Sequence, residues 1–260
     1  MKTLVITGGT DGMGRALART YLDRGDTVVI VGRDGRKAPH GAAFIAADLS
    51  LISENRRVIK EINAAYPAVD ALVLCARYFR THRFVTAEGL EGTFALDYLS
   101  RFLFSYGLAE PGLIVNVSGP GQPDGRVHWD DLMLERRYDG MTAQFQAGKA
   151  NDLLGVAFAA RRSRTRYVLL HPGSVSTSVA GEYDAATLAH VAALKRYGRP
   201  VEEGIKPIVA RIDDPPSDPL SAFVLEQRIS LDHPSFDPPA AARLHEVTEE
   251  LIGAVTSPCS

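Results

Sequence analysis

The chain has 260 residues, of which 45% are hydrophobic, and a formal charge of −2. That length supports one large α/β domain or two small ones, and no linker, repeat or charge run divides it. The near-neutral charge removes the electrostatic case for nucleic acid or anionic lipid as a partner. No apolar run approaches the roughly 20 residues of a membrane span. The amino terminus begins in an apolar strand, without a signal-peptide layout. The two cysteines, Cys75 and Cys259, give no basis for a structural disulfide. A soluble, cytoplasmic chain of one domain over residues 1–260 is expected.

Residues 2–7 form an apolar, β-branched run with the character of a buried strand. Gly8-Gly9-Thr10-Asp11-Gly12-Met13-Gly14 follows and leads into a helical pattern from Arg15. Gly8, Gly12 and Gly14 suit a tight turn, a close pyrophosphate and a helix that starts near the sheet. The N–H groups and dipole of that helix start favour phosphate. Gly8, Thr10, Asp11, Gly12, Met13, Gly14 and Arg15 are therefore candidate cofactor-binding residues. The spacing Thr7-Gly8-x-x-x-Gly12-x-Gly14 resembles the short-chain dehydrogenase/reductase family. The resemblance implies a Rossmann fold that binds NAD or NADP and moves a hydride to or from a carbonyl, alcohol or alkene.

Residues 26–31 read as the second strand, ending in Gly32-Arg33-Asp34. An acid at this strand end holds the ribose 2′-hydroxyl of NAD, and an arginine suits the 2′-phosphate of NADP. Gly32 with Arg33 and Arg15 favours NADP over NAD, unless Asp34 faces the ribose instead. Residues 43–47 form a third strand. Asp48-Leu49 then opens a helix over residues 51–66, with Asp48 as its cap. The pair also resembles the family's adenine-contacting Asp-Leu. Residues 70–76 form a fourth strand. The family ends it in Asn-Asn-Ala-Gly, and this chain reads Leu74-Cys75-Ala76-Arg77, so only Ala76 matches.

Residues 86–106 are expected to enter and form a long helix. The Thr86-x-Glu88-Gly89-x-Glu91 entry resembles the retinol-dehydrogenase-like branch. Asp97 occupies the position of the family's catalytic asparagine, followed by Tyr98. Residues 112–118 are a fifth strand, after which Gly119 replaces the catalytic serine. Ser118, one residue off, should point elsewhere by strand alternation. His128 with Asp130 and Asp131 lacks a second histidine at ligand spacing, so no metal site is expected. Phe145-Gln146-Ala147-Gly148-Lys149-Ala150-Asn151 resembles Tyr-x-x-Ser-Lys-x-Ala-Asn, with Phe145 for the proton-donating tyrosine and Lys149 retained. The resemblance gives Lys149 the nicotinamide ribose.

Residues 166–170 are a sixth strand. His171-Pro172-Gly173-Ser174-Val175-Ser176-Thr177 is similar to the family's nicotinamide-end motif, which makes Pro172, Gly173, Val175 and Thr177 candidates and His171 structural. Residues 179–199, with Tyr183 and Tyr197, form a candidate substrate lid. Residues 222–225 give a last strand and residues 239–251 a closing helix. Apolar strands alternating with amphipathic helices predict a doubly wound, mostly parallel sheet of about seven strands.

The cofactor side of the family pattern is kept, while Asp97, Gly119 and Phe145 replace three groups of its chemistry. The reading is an atypical NADP(H)-dependent reductase of a small, largely apolar substrate. The proton would come from substrate, water or another side chain, with Asp97, Tyr98 and Tyr183 as candidates. Two alternatives stay open: a non-redox cyclase or isomerase, and a cofactor-binding protein without chemistry. An iminium acceptor needs neither proton nor oxygen holder, and an ionised Asp97 would suit its charge. Alternatively, Asp97 merely pairs with Lys149. Oligomeric state, a homo-oligomer included, is open.

Overall fold

Strand β1 (Thr3–Thr7) is wholly buried from its second residue onward, and it lies at the centre of the sheet. The computed structural model describes residues 1–162 and 164–256. Strands β1, β2 (Thr27–Gly32), β3 (Ala43–Ala46), β4 (Ala71–Leu74), β6 (Leu113–Val117), β7 (Arg166–His171) and β9 (Leu220–Val224) pair in parallel. The short β10 (Gln227–Ile229) adds an antiparallel edge, giving the order β10-β9-β7-β6-β4-β1-β2-β3. The sheet thus has eight strands rather than seven. β10 is polar and mostly exposed, so no apolar run announces it. Strand β5 (Phe79–Arg80) pairs instead with β8 (Gly181–Glu182), outside this sheet.

Both faces of the sheet are covered, which is why its strands read as continuous apolar runs. Val5, Val29, Leu72 and Ile114 face one core, built with α2 (Ile52–Ala65), α4 (Ser100–Gly107), α5 (Gly140–Arg161) and α9 (Pro238–Thr256). Leu4, Ile6, Val28 and Val73 face the other, built with α1 (Gly12–Leu22) and α8 (Lys206–Asp213). From β1 the chain runs outward first through β2 and β3, then on the other side through β4, β6, β7 and β9. The winding reverses between β1 and β4. In such sheets the crevice beyond the strand ends at the reversal is where ligands bind.

Two local features depart from the expected elements. The helix after residue 91 is interrupted: Gly92–Phe94 is α-helical, Ala95–Leu99 is a π turn, and α4 follows. Asp48 does not cap α2. Its Oδ1 accepts from the Ser50 N–H (3.0 Å) and hydroxyl (2.7 Å). The first N–H groups of α2, from Ile52 and Ser53, donate instead to the Glu88 carboxylate. Helix α3 (Gly92–Phe94) precedes the π turn; α6 (Ala185–Tyr197) and α7 (Val201–Gly204) lie between β8 and α8. Cys75 is a free thiol, pushed up to about 12 by burial, and Cys259 lies outside the described residues.

Candidate active site

The cleft opens at the winding reversal. It is lined by Gly8, Thr10, Asp11, Gly12, Met13 and Gly14 from the first turn, and by Arg33, Asp48, Leu49 and Ala76 from the next strand ends. Gly173, Val175 and Thr177 line its far side. Arg15 is exposed and does not line it, and neither does Pro172. A β-carbon on Gly14 would lie 2.4 Å from the Gly8 carbonyl oxygen, and one on Gly8, where φ is +72°, 2.7 Å from Ala76 Cα. Backbone thus packs directly on backbone, which leaves a cradle free of side chains where a pyrophosphate would rest. The outer half of the cleft fits a dinucleotide.

At the adenosine end, a β-carbon on Gly32 would lie 2.9 Å from Thr10 Oγ1. Residue 32 thus carries no acid, and the Thr10 side chain occupies the space beside it. Asp34 is engaged by Arg36 through Nε and Nη2, both at 2.9 Å, which lowers its carboxyl to about 2. Arg33 and Lys37 also line the cleft, and the Arg33 guanidinium stacks 4.8 Å from the Tyr78 ring centroid.

The inner half departs most from expectation. Helix α5 turns Gln144 and Asn151 toward Asp97, and not Phe145 and Lys149. Gln144 Nε2 donates to Asp97 Oδ2 (3.0 Å), and Asn151 Nδ2 donates to the Asp97 carbonyl (2.8 Å). Lys149 Nζ donates to the Pro234 carbonyl (2.9 Å), and neither it nor Phe145 lines the cleft. Each helical residue rotates the side chain by about 100°, so this offset of one residue turns both off the site. Gly148 stands at the lysine's helical place, with open space around it. The sequence carried the signal. The family's asparagine follows its tyrosine by seven residues, and Asn151 follows Gln144, not Phe145, by seven.

Arg77 reaches across from the end of β4. Its Nε and Nη2 donate to Gln144 Oε1 at 2.9 and 2.7 Å. Asp97 is buried in the π turn, and burial raises its carboxyl above the usual range while Arg101 and Arg77 pull it down. It forms no pair with Lys149, whose Nζ is on the Pro234 carbonyl, and does not line the cleft. Arg101, also buried, donates to Asn116 Oδ1, to the Val117 carbonyl (2.8 Å) and to the Ala76 carbonyl (3.3 Å). It therefore bridges the ends of β4 and β6. Arg77, Arg101 and His171 line the inner cleft. Tyr98, a catalytic candidate by sequence, points the other way. Its hydroxyl bonds Thr248 Oγ1 (2.7 Å) in the core, and burial raises its pKa. Gly119 lies beside His171, where a side chain would find ordinary contacts. Ser118 turns its hydroxyl to the Asn116 carbonyl.

The family profile described as "short chain dehydrogenase" matches residues 2–128. The profile covers just under half of the chain, and the likeness is to the short-chain dehydrogenase/reductase family. Over 97% of its length it is 27% identical to a Streptomyces sp. (strain C5) protein named as daunorubicin C-13 ketoreductase DnrU, of which it covers 93%. It is 28% identical to human retinol dehydrogenase 14 over 68% of its own length, and spans 63% of that protein. The likeness to retinol dehydrogenase 14 agrees with the resemblance to the retinol-dehydrogenase-like branch. A solved structure from Mycobacterium paratuberculosis matches with a TM-score of 0.78 at 23% identity, covering 97% of this chain and 94% of that one. A short chain dehydrogenase from Burkholderia cenocepacia, solved with NADP, matches with a TM-score of 0.65 at 19% identity over 86% of this chain and 96% of its own. Both likenesses concern the fold. Family members are oxidoreductases that bind a nicotinamide cofactor. Among the described residues, no helix is long and apolar enough to cross a membrane, and no three metal-ligating side chains cluster.

Segment 179–194 forms one wall of the cleft through Val179, Ala180, Tyr183, His190 and Leu194. Glu182 ties it to the opposite strand. Tyr78 Oη donates to its carboxylate at 3.3 Å, and His82 Nε2 lies 3.0 Å away.

Proposed function

We propose that this chain is an NADP(H)-dependent reductase of a small, largely apolar carbonyl compound, working without the tyrosine proton donor of its family. The observation that carries this reading is the division of the cleft. Its outer half keeps the glycine cradle and adds Arg33 and Lys37, with no acid at Gly32. At its inner end Arg77 lines the cleft and bonds Gln144, which stands at the tyrosine's helical place, while Gly148 stands at the lysine's.

In this reading Gly8, Thr10, Asp11, Gly12, Met13 and Gly14 hold the pyrophosphate, and Asp48 and Leu49 meet the adenine. Ala76, Gly173, Val175 and Thr177 border the nicotinamide end. When bound, the cofactor supplies the hydride. The segment at residues 179–199 acts as a substrate lid, and its aromatic and aliphatic side chains suit an apolar acceptor. The relative named as a ketoreductase supports a carbonyl group in the substrate.

The test has two arms. Calorimetry with NADPH and NADH should give tighter binding of NADPH, and NADPH oxidation should depend on one member of a carbonyl panel. A product formed without NADPH consumption would move the chain to the cyclase or isomerase reading. One observation favours a second reading, cofactor binding without hydride transfer: Gly148 leaves no lysine for the nicotinamide ribose. NADPH binding with no turnover across the panel would select it.

A further inference from the structure

We propose that Arg77, Arg101 and His171 form an oxyanion site at the inner end of the cleft, and that the acceptor is a carbonyl conjugated to an alkene or quinone. This rests on the reductase reading above.

Two strand ends and helix α4, which carries Arg101, deliver the donors. Arg77 follows β4, Arg101 spans the ends of β4 and β6, and His171 ends β7. All three line the cleft. Arg77 is oriented by a chain of bonds. Asp97 takes a hydrogen from Gln144 Nε2, which fixes the amide so that Oε1 faces the guanidinium. Arg77 uses Nε and Nη2 on that oxygen, and its Nη1 has no partner among the described residues. His171 Nδ1 accepts from the Gly173 N–H (3.3 Å), so the neutral ring carries its proton on Nε2. Burial and the charge of Arg77 both hold this histidine below its ordinary pKa, in the neutral form. Arg101 is fixed by carbonyl and amide oxygens and its Nε is buried, so it contributes positive charge to the site while Arg77 and His171 contribute the free N–H groups.

These groups can hold negative charge but are poor sources of a proton. A guanidinium does not give its proton up at any ordinary pH, and a neutral imidazole N–H is a weak acid. A saturated ketone would leave the hydride step as a strongly basic alkoxide, which needs a proton at once. A conjugated carbonyl does not. Its β-carbon forms the new C–H bond with the hydride of the reduced nicotinamide. The alkene pair shifts to the α-carbon–carbonyl bond and the carbonyl pair moves onto oxygen. The substrate gains two electrons and the nicotinamide loses two. The resulting enolate, or the phenolate from a quinone, is delocalised, rests on Arg77 and its neighbours, and takes its proton from water afterwards. In this proposal the same charges disfavour an iminium acceptor: a cation would meet two arginines, because Asp97 is buried and does not line the cleft.

The probe is 4-nitrophenol, whose ionised form absorbs in the visible. At a pH where the free phenol is mostly protonated, the native chain should raise the phenolate band. Arg77→Gln should weaken that binding by about tenfold or more, the scale of one charge-assisted contact, and Arg77→Lys should restore part of it. Arg77 is exposed, so its variants should keep the fold, which circular dichroism checks. With NADPH, an enone and a quinone should be reduced and the matching saturated ketone should not. No phenolate band, or one unchanged by Arg77→Gln, overturns the oxyanion site even if ketones are reduced. A phenolate band with no NADPH oxidation upholds the site and removes the reductase reading instead.

Discussion

In the proposed reading, Gly32 and Arg33 set the cofactor preference between them. Thr10 lies where a side chain on residue 32 would go, and Arg33 lines the cleft with its guanidinium stacked on Tyr78. Arg33→Ala should weaken NADPH binding by roughly 1.5–3 kcal/mol, the range for a hydrogen bond to a charged group, and leave NADH almost unchanged. Calorimetry with both cofactors decides it; an equal loss for both would show that Arg33 does not read the 2′-phosphate. Phe145 gives the opposite case, a residue whose motif position misleads. Phe145→Tyr should leave ketone reduction unchanged, because the new hydroxyl would sit one helical step away from Gln144 and outside the cleft. NADPH oxidation with a simple ketone is the measurement, and efficient turnover by this single variant would return the site to residue 145.

Helix α2 shows how much an element can owe to a residue far away in sequence. Its N-terminal N–H groups bond the carboxylate of Glu88, 36 residues on from Ile52, while its own N-cap Leu51 offers no side-chain bond. Glu88→Ala should cost about 1 kcal/mol, as loss of a helix cap does, seen as a lower urea midpoint at unchanged slope. The same contrast governs what was legible in the sequence. The strands and the glycine turn could be read because burial on both faces writes a local apolar run and the turn needs glycine at fixed offsets. Contacts between distant segments leave no such mark, so Glu88 on α2 and Arg77 on Gln144 stayed hidden. The register of α5 was misread because Phe145 and Lys149 imitate a familiar i, i+4 pair, and only the count back from Asn151 contradicts them. The π turn at Ala95–Leu99 places the Asp97 carbonyl on Asn151, a bond that a regular helical pattern does not announce.

Across the whole molecule, polar and charged groups are buried in several elements, and holding a charged one there has a cost. Asp152 on α5 is 1% exposed and accepts from the Gly121 N–H (2.9 Å), which fastens the loop after β6 to the helix. Its Oδ1 has no partner. Burial pushes its carboxyl up to about 7, with the Gly121 N–H and the charge of Lys149 only partly opposing. An unfolded aspartate titrates near 4. Between about pH 4 and 7 the folded chain therefore keeps a proton that the unfolded chain has released, and stability falls as pH rises through that window. Above it the loss is complete, and amounts to a few kcal/mol at most at about 1.36 kcal/mol per pKa unit. Asp152→Asn keeps an acceptor for Gly121 and removes the charge. The variant should melt at a higher temperature than the native chain at pH 8, and the two should converge toward pH 4. An equal gain at both pH values would place the effect in packing, and no gain at pH 8 would show that the native carboxylate is already accommodated in its charged form.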